Sequence, residues 1–335
     1  MESIIREIRS NIEAIEDHTA LYEETNFGER SEALDFLESD VIDRIEGLLL
    51  KDGWSEALTN LEQYAETVKT RLEEVDEGLL QRLRQDIASG NCTGAELRQR
   101  IAGYAGDASE GGRQADEGYD SLDALVNGLL LTEPAPEGPR QREPEMFLYQ
   151  PTPARIVLEL VDTADFRKHD VFYDIGSGLG QVSILVHLLT GIRAMGVEVE
   201  PAYCDYAKRC ASGLNLSQVQ FITVDAREAD YSDGTIFFLY TPFEGRMLDR
   251  VLERIRYVSK KRRIRLYTYG ACTPQVTRHK WLSRLDQNGD QVNRLAMFTS
   301  PHREPQADQQ LIESEAASAR EQDEATRLRR PDRGC

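Results

Sequence analysis

The residues of this sequence best suited to chemistry are a glycine-rich turn and three carboxylates. The turn, Asp174-Ile175-Gly176-Ser177-Gly178-Leu179-Gly180-Gln181, follows the apolar run Val171-Phe172-Tyr173. It precedes a helical pattern that carries Val182, Leu185, Val186 and Leu189 on one face and ends at Gly191. Glycines at a strand-to-helix turn let the backbone approach a ligand and adopt conformations closed to other residues, although glycines alone equally describe an ordinary loop. Glu198, in Gly196-Val197-Glu198-Val199-Glu200-Pro201, ends the next apolar run and suits both hydroxyls of a ribose. Asp225, in Val224-Asp225-Ala226, ends the run after that and suits an adenine amino group. Single exposed acids are ordinarily just solvated. Three at consecutive strand ends beside a glycine turn form a constellation for an adenosine-type ligand, because open α/β sheets bind ligands at the carboxyl ends of their strands. The Gly-x-Gly-x-Gly spacing departs from the Gly-x-Gly-x-x-Gly that seats a pyrophosphate on a helix N-terminus, which counts against a nicotinamide or flavin dehydrogenase.

The elements that must position these residues alternate. A strand at 171–173 leads to a helix through Leu189, a strand at 194–199, a helix around 203–214 and strands at 220–224 and 235–240. A helix at 246–258 and a strand at 264–269 complete the series. Such alternation predicts an α/β, doubly wound parallel sheet covered on both faces. Ahead of it the pattern is helical: Ile5, Ile8, Ile12 and Ile15 make one amphipathic stripe, and Trp54 through Ile87 make a second, long one. Ser89-Gly90-Asn91 breaks that helix, Thr93 to Glu96 has the spacing of a capping box, 106–118 has the composition of a loop and 119–131 suggests one more short helix. Four prolines between Glu133 and Pro144 exclude both helix and central strand. The expected domains are therefore a helical unit at 1–132, a Pro-rich linker at 133–145, the α/β unit at 146–302 and a charged, disordered tail at 303–335.

Charge and composition narrow the partners. Residues 1–150 hold 34 acidic and 14 basic side chains, while the remainder holds 25 and 26. So acidic a front half disfavours nucleic acid, whose phosphates are bound through Lys and Arg. The basic cluster Arg254, Arg256, Lys260, Lys261, Arg262, Arg263 and Arg265 lies on the side away from the strand ends and is expected to be solvated. Five scattered cysteines without paired spacing suggest a reducing cytoplasm and no metal, and His187 is expected to be a packed surface histidine. No apolar stretch approaches the roughly 18 residues that span a bilayer, so no membrane association is expected.

The glycine turn, the acid after the second strand and the Asp-Ala after the third resemble the cofactor motifs of class I S-adenosylmethionine-dependent methyltransferases. Within that family, Gly176-Ser177-Gly178-Leu179-Gly180-Gln181 is most similar to the non-SET lysine methyltransferases of the disruptor-of-silencing type. The resemblance implies that S-adenosyl-L-methionine is held by Asp174, Gly176, Ser177, Gly178, Gly180, Gln181, Glu198, Asp225 and Ala226, with Asp174 near its amino-acid moiety. Methyl transfer from a sulfonium is an in-line displacement that needs alignment and exclusion of water more than an acid/base pair. The segment implied at the methyl is Tyr240-Thr241-Pro242-Phe243-Glu244, with Tyr240 and Phe243 presenting aromatic faces to a cation. Tyr149, in Tyr149-Gln150-Pro151-Thr152-Pro153, resembles an entry segment folding over the cofactor, though the same stretch also reads as a plain linker. Tyr240-Thr241 replaces the polar residue and first proline of amino-group methyltransferases that act on nucleobases or glutamine. It also lacks the Asn-rich form of the lysine enzymes. The methyl acceptor is accordingly an unassigned protein or small molecule, self-association through the helical unit stays open, and a non-catalytic cofactor sensor or scaffold is the alternative.

Overall fold

The computed structural model describes residues 1–53, 55–105, 120–138, 143–289 and 291–301. The expected loop at 106–118 and the expected tail at 303–335, with Cys335, lie outside the described residues, as does Trp54.

Among the described residues six α-helices come first: α1 (Glu2–Glu16), α2 (Phe27–Phe36), α3 (Asp43–Asp52), α4 (Glu56–Ala88), α5 (Gly94–Ala105) and α6 (Ser121–Leu130). A π-helical turn, Leu37–Ile42, joins α2 to α3. The extra residue in that turn rotates the apolar stripe out of phase, which is why no single period across 27–52 betrays the helices. The α4 helix ends where Gly90 takes φ +78°. The α6 helix starts with a capping box of Asp120 and Asp123, which meets two of the first-turn N–H groups.

Next come α7 (Ala154–Thr163), β1 (Val171–Ile175), α8 (Gln181–Thr190), β2 (Arg193–Glu198), α9 (Pro201–Gly213), β3 (Val219–Thr223) and β4 (Ile236–Tyr240). The chain continues through α10 (Gly245–Ser259), β5 (Arg265–Tyr269), α11 (Thr273–Thr277), β6 (Ser283–Arg284) and β7 (Ala296–Thr299). The sheet order is β3-β2-β1-β4-β5-β7-β6. The first five strands pair in parallel, with Asp174 level with Gly196 and Glu198 level with Thr223. β7 runs antiparallel between β5 and β6. The doubly wound sheet is as expected, and this edge hairpin adds to it; β6 and β7 are too short to leave a strand pattern in the sequence.

Two apolar layers cover the sheet. One joins Phe172, Ala194, Phe221 and Phe238 to α7, α8 and α9, and continues without a break into Leu79, Leu83 and Ile87 of α4 and Leu125 and Leu129 of α6. The other packs Ile175, Val197 and Phe237 against Leu248, Val251, Leu252 and Ile255 of α10. A third cluster unites Ile8 and Ile12 with Leu37, Val41 and Ile45 and with Leu58, Leu61, Val68 and Leu72 of the first half of α4. Several members of the basic cluster find partners near by: Arg265 pairs with Asp170 at 2.5 Å, Arg254 donates to the Ala229 carbonyl and Arg263 to Thr299. His187 packs through Nδ1 on the Ile192 carbonyl at 2.6 Å. Among the described residues no helix is long and apolar enough to cross a membrane, and no group of His, Cys, Asp and Glu could hold a metal.

Candidate active site

β1 delivers Asp174 to the edge of the sheet and then turns sharply. Gly176 and Gly178 take φ +79° and +51°, the left-handed region that side chains resist. A Cβ on Gly176 would stand 2.4 Å from Cβ of Pro242, and one on Gly178 would stand 2.3 Å from the Tyr149 ring. The turn is thus pressed between the loop after β4 and the segment before α7. Gly180 caps α8 in the left-handed conformation and lets Phe221 and Ala207 close in beneath. These three pieces of chain enclose one cavity. Tyr149, Asp174, Gly176, Ser177, Gln181, Glu198, Asp225, Ala226, Tyr240 and Phe243 all line it, whereas Gly178 and Gly180 shape the turn from behind.

The electrostatics of the cavity are one-sided. Asp174, Glu198, Glu200 and Asp225 line it, and no Lys, Arg or His among the described residues does. Asp174 is 3% exposed and Glu198 8%. Burial, reinforced by the charge of Glu198, pushes the Asp174 carboxyl up to about 7. Its one side-chain partner is the Ser183 hydroxyl, at 3.5 Å. Glu198 accepts from the backbone N–H groups of Gly178 at 2.9 Å and Glu200 at 2.8 Å, and burial raises its pKa as well. Asp225 behaves oppositely, because hydrogen bonds from Arg227 hold its carboxyl below the usual range. Ser177 Oγ is buried in the cavity wall with no hydrogen-bond partner among the described residues. An orphaned hydroxyl, two desolvated acids and a turn without Cβ atoms together make a receptor for hydrogen-bond donors and positive charge.

The other wall is built by the end of β4. Thr241 sits at φ +38° and its hydroxyl donates to the Tyr269 carbonyl at 3.0 Å and accepts from the Cys272 N–H, tying the loop to the end of β5. The ring of Tyr240 lies 4.9 Å from that of Tyr269, and its hydroxyl donates to Gln150 at 3.4 Å. Phe243 is 5% exposed and belongs mainly to the core beneath α10, so only part of its surface is offered to the cavity. Glu244 is exposed and stands outside the cavity, at the start of α10.

Tyr149 folds over the turn. Its hydroxyl donates to Gln181 at 3.0 Å and its ring lies 5.4 Å from that of Tyr203. Gln181 in turn donates to Asn127 of α6. Asp123, one turn earlier on α6, accepts the Ala154 N–H at 2.6 Å where α7 begins. Sequence reasoning missed Asn127, Tyr203 and Arg227. The signal for Asn127 was a lone amide inside the apolar run Leu125 to Leu131; Tyr203 and Arg227 gave none, since each depends on a contact distant in sequence or on a carboxylate already assigned elsewhere.

Residues 145–238 match the family model described as histone methylation protein DOT1. No curated protein matches the chain. Among solved structures the chain is similar to an RNA methyltransferase from Salinibacter ruber in complex with S-adenosyl-L-homocysteine, at 23% identity over 47% of this chain and 97% of that one, with a TM-score of 0.36. It is also similar to magnesium protoporphyrin IX methyltransferase from Synechocystis PCC 6803 with bound SAM, at 13% identity over 44% and 76% with a TM-score of 0.35. A third is precorrin-6y C5,15-methyltransferase from Geobacter metallireducens GS-15, at 16% identity over 44% and 88% with a TM-score of 0.33.

Proposed function

We propose that the chain is a class I S-adenosylmethionine-dependent methyltransferase, in which the cavity at the ends of β1, β2 and β3 holds the cofactor and opens beside β4 to a protein or small-molecule acceptor; the family match over residues 145–238 supports this reading. The observation that carries this reading is the lining itself: four carboxylates and no basic side chain. S-adenosylmethionine is a nucleoside with a sulfonium, an ammonium, ribose hydroxyls and an adenine amino group, all of which a carboxylate-lined wall favours. A dinucleotide would bring two phosphates against a wall of carboxylates with no cation among the described lining residues, which is repulsive in a partly desolvated site.

The role assigned to Asp174 is to pair with the amino-acid ammonium, which restores the ionised form that burial disfavours. Glu198 takes the ribose hydroxyls on the oxygen lone pairs left free by Gly178 and Glu200, so the turn and the sugar share one anchor. Asp225 and Ala226 frame the base, and Ser177 Oγ gains a partner it otherwise lacks. Gln181 and Tyr149 close the turn from the helical side. When bound, the cofactor supplies an electrophilic methyl group on sulfur. The part of the chain is to align the acceptor and keep water out, with the rings of Tyr149 and Tyr240 facing positive charge. We assign to the helices before residue 133 the role of a wall: Asn127 and Asp123 of α6 brace Gln181 and the start of α7.

The test is calorimetry with S-adenosylmethionine, S-adenosylhomocysteine and NAD on the full chain. Binding of the first two and not of NAD is expected; tighter NAD binding overturns the reading. Transfer of labelled methyl into a cell extract, followed by mass spectrometry of the labelled species, then identifies the acceptor.

A further inference from the structure

Arg227 forms a fork between two carboxylates. Its Nε lies 2.9 Å and 3.0 Å from the two oxygens of Asp225, and its backbone N–H donates to Asp225 Oδ1 at 2.8 Å. Its other edge reaches Glu143, with Nη2 at 2.6 Å and Nη1 at 3.1 Å from the two oxygens. Glu143 opens the segment 143–150, which continues across the cavity. The Glu145 carboxylate accepts the Arg246 and Met247 N–H groups at the start of α10, the Phe147 N–H donates to the Pro242 carbonyl at 3.2 Å, and Tyr149 covers Gly178.

We propose that Arg227 is a positioning residue that holds Asp225 rigidly as an acceptor-only edge toward the ligand and, through Glu143, fastens the segment 143–150 over the occupied cavity. Recognition of the base and enclosure of the ligand are then coupled through one guanidinium. The proposal rests on the reading that the cavity takes S-adenosylmethionine.

The side chains of Arg227, Asp225 and Glu143 are 23%, 24% and 51% exposed, so the fork stands at the rim of the cavity and not in the core. A planar guanidinium can meet each of two carboxylates through two N–H groups, which a lysine cannot. An ionised carboxylate accepts and never donates, so the ligand edge facing Asp225 must carry a hydrogen-bond donor. Adenine presents its amino group there, whereas the deaminated base presents a carbonyl. The segment is also held at Glu145, Phe147 and Tyr149, and Glu143 adds the fastening at its first residue, on the side of the base.

The experiment uses the full chain, with S-adenosylhomocysteine and its deaminated S-inosyl counterpart as probes. Arg227→Met is expected to weaken S-adenosylhomocysteine about tenfold and to shrink its preference over the inosyl compound by a similar factor, as loss of one charge-assisted contact implies. Glu143→Gln is expected to keep the preference and to speed dissociation several-fold in stopped flow. In the ligand-free protein, Arg227→Met is expected to accelerate amide exchange at Met146 and Phe147. Retention of both the preference and the exchange protection in Arg227→Met overturns the proposal. Should the unmodified chain refuse S-adenosylhomocysteine, the cofactor reading fails, and amide exchange still decides whether Arg227 fastens the segment.

Discussion

Replacing Asp174 with Asn separates cofactor binding from stability, because the two respond to its charge in opposite directions. In the ligand-free protein the carboxyl is lifted from its ordinary 3.8 to about 7. Between those values the folded chain keeps a proton that the unfolded chain has lost, so stability falls as pH rises through this window and the full loss is reached above about 7. A lift of that size corresponds to about 4 kcal/mol, of which relaxation around the site leaves about 2 kcal/mol as a working figure. Asn fills the same space without charge. At about pH 7.5 it should raise the unfolding midpoint of the sheet-containing core by several degrees and flatten its pH dependence. Binding should run the other way. If only the ionised carboxylate receives the cofactor's ammonium, roughly a tenth of the protein is competent at about pH 6 and about three quarters at about pH 7.5, so S-adenosylmethionine binds about eightfold tighter at the higher pH. Calorimetry over that range, beside thermal unfolding of both proteins, measures the two slopes. A Kd that does not change with pH, or an Asn variant that binds as well as the native chain, would refute the reasoning.

Glu198→Ala leaves the Gly178 and Glu200 N–H groups without their acceptor and removes the ribose contact, and should weaken cofactor binding at least a hundredfold by calorimetry. Gly178→Ala forces a Cβ onto the Tyr149 ring and a side chain into φ +51°, so it should cost about tenfold in affinity and free Tyr149 from Gln181, which tyrosine fluorescence would register. Asn127→Ala, in a helix remote in sequence, should weaken cofactor binding about fivefold by removing the partner of Gln181, while circular dichroism stays unchanged.

Much of this site is legible before any coordinates exist, and for physical reasons. Asp174, Glu198 and Asp225 follow three strands whose apolar runs and spacing fix the sheet, so their meeting at one rim is set by local sequence plus the rule that ligands bind at carboxyl ends of strands. The glycines likewise announce close approach, and Pro242 and Tyr149 supply what approaches. What escapes reading is whatever arises between distant segments. The sequence suits Asp225 to an adenine amino group but gives no sign that Arg227 takes part of its acceptor capacity. Phe243 has the composition of a cavity aromatic and lies mostly in the core. The helices α2 and α3 vanish from the pattern because a π-turn breaks their phase, and the β6–β7 hairpin because two- and four-residue strands carry too few side chains to alternate.

The helix α4 has a consequence of its own. Its 33 residues reach about 50 Å, and they carry buried apolar side chains up to Leu72 and again from Leu79, with a mostly charged stretch and half-buried Val75 between them. Asp76, in that stretch, pairs with the buried Arg30 of α2, and Phe27 of the same helix belongs to the rear apolar mass, so α2 rivets the two masses together alongside α4. The rear half of α4 cannot loosen without dragging α6, and with it Gln181, out of place. Deleting the front helices should therefore unsettle the cavity wall as well, which makes them a buttress and not an appendage.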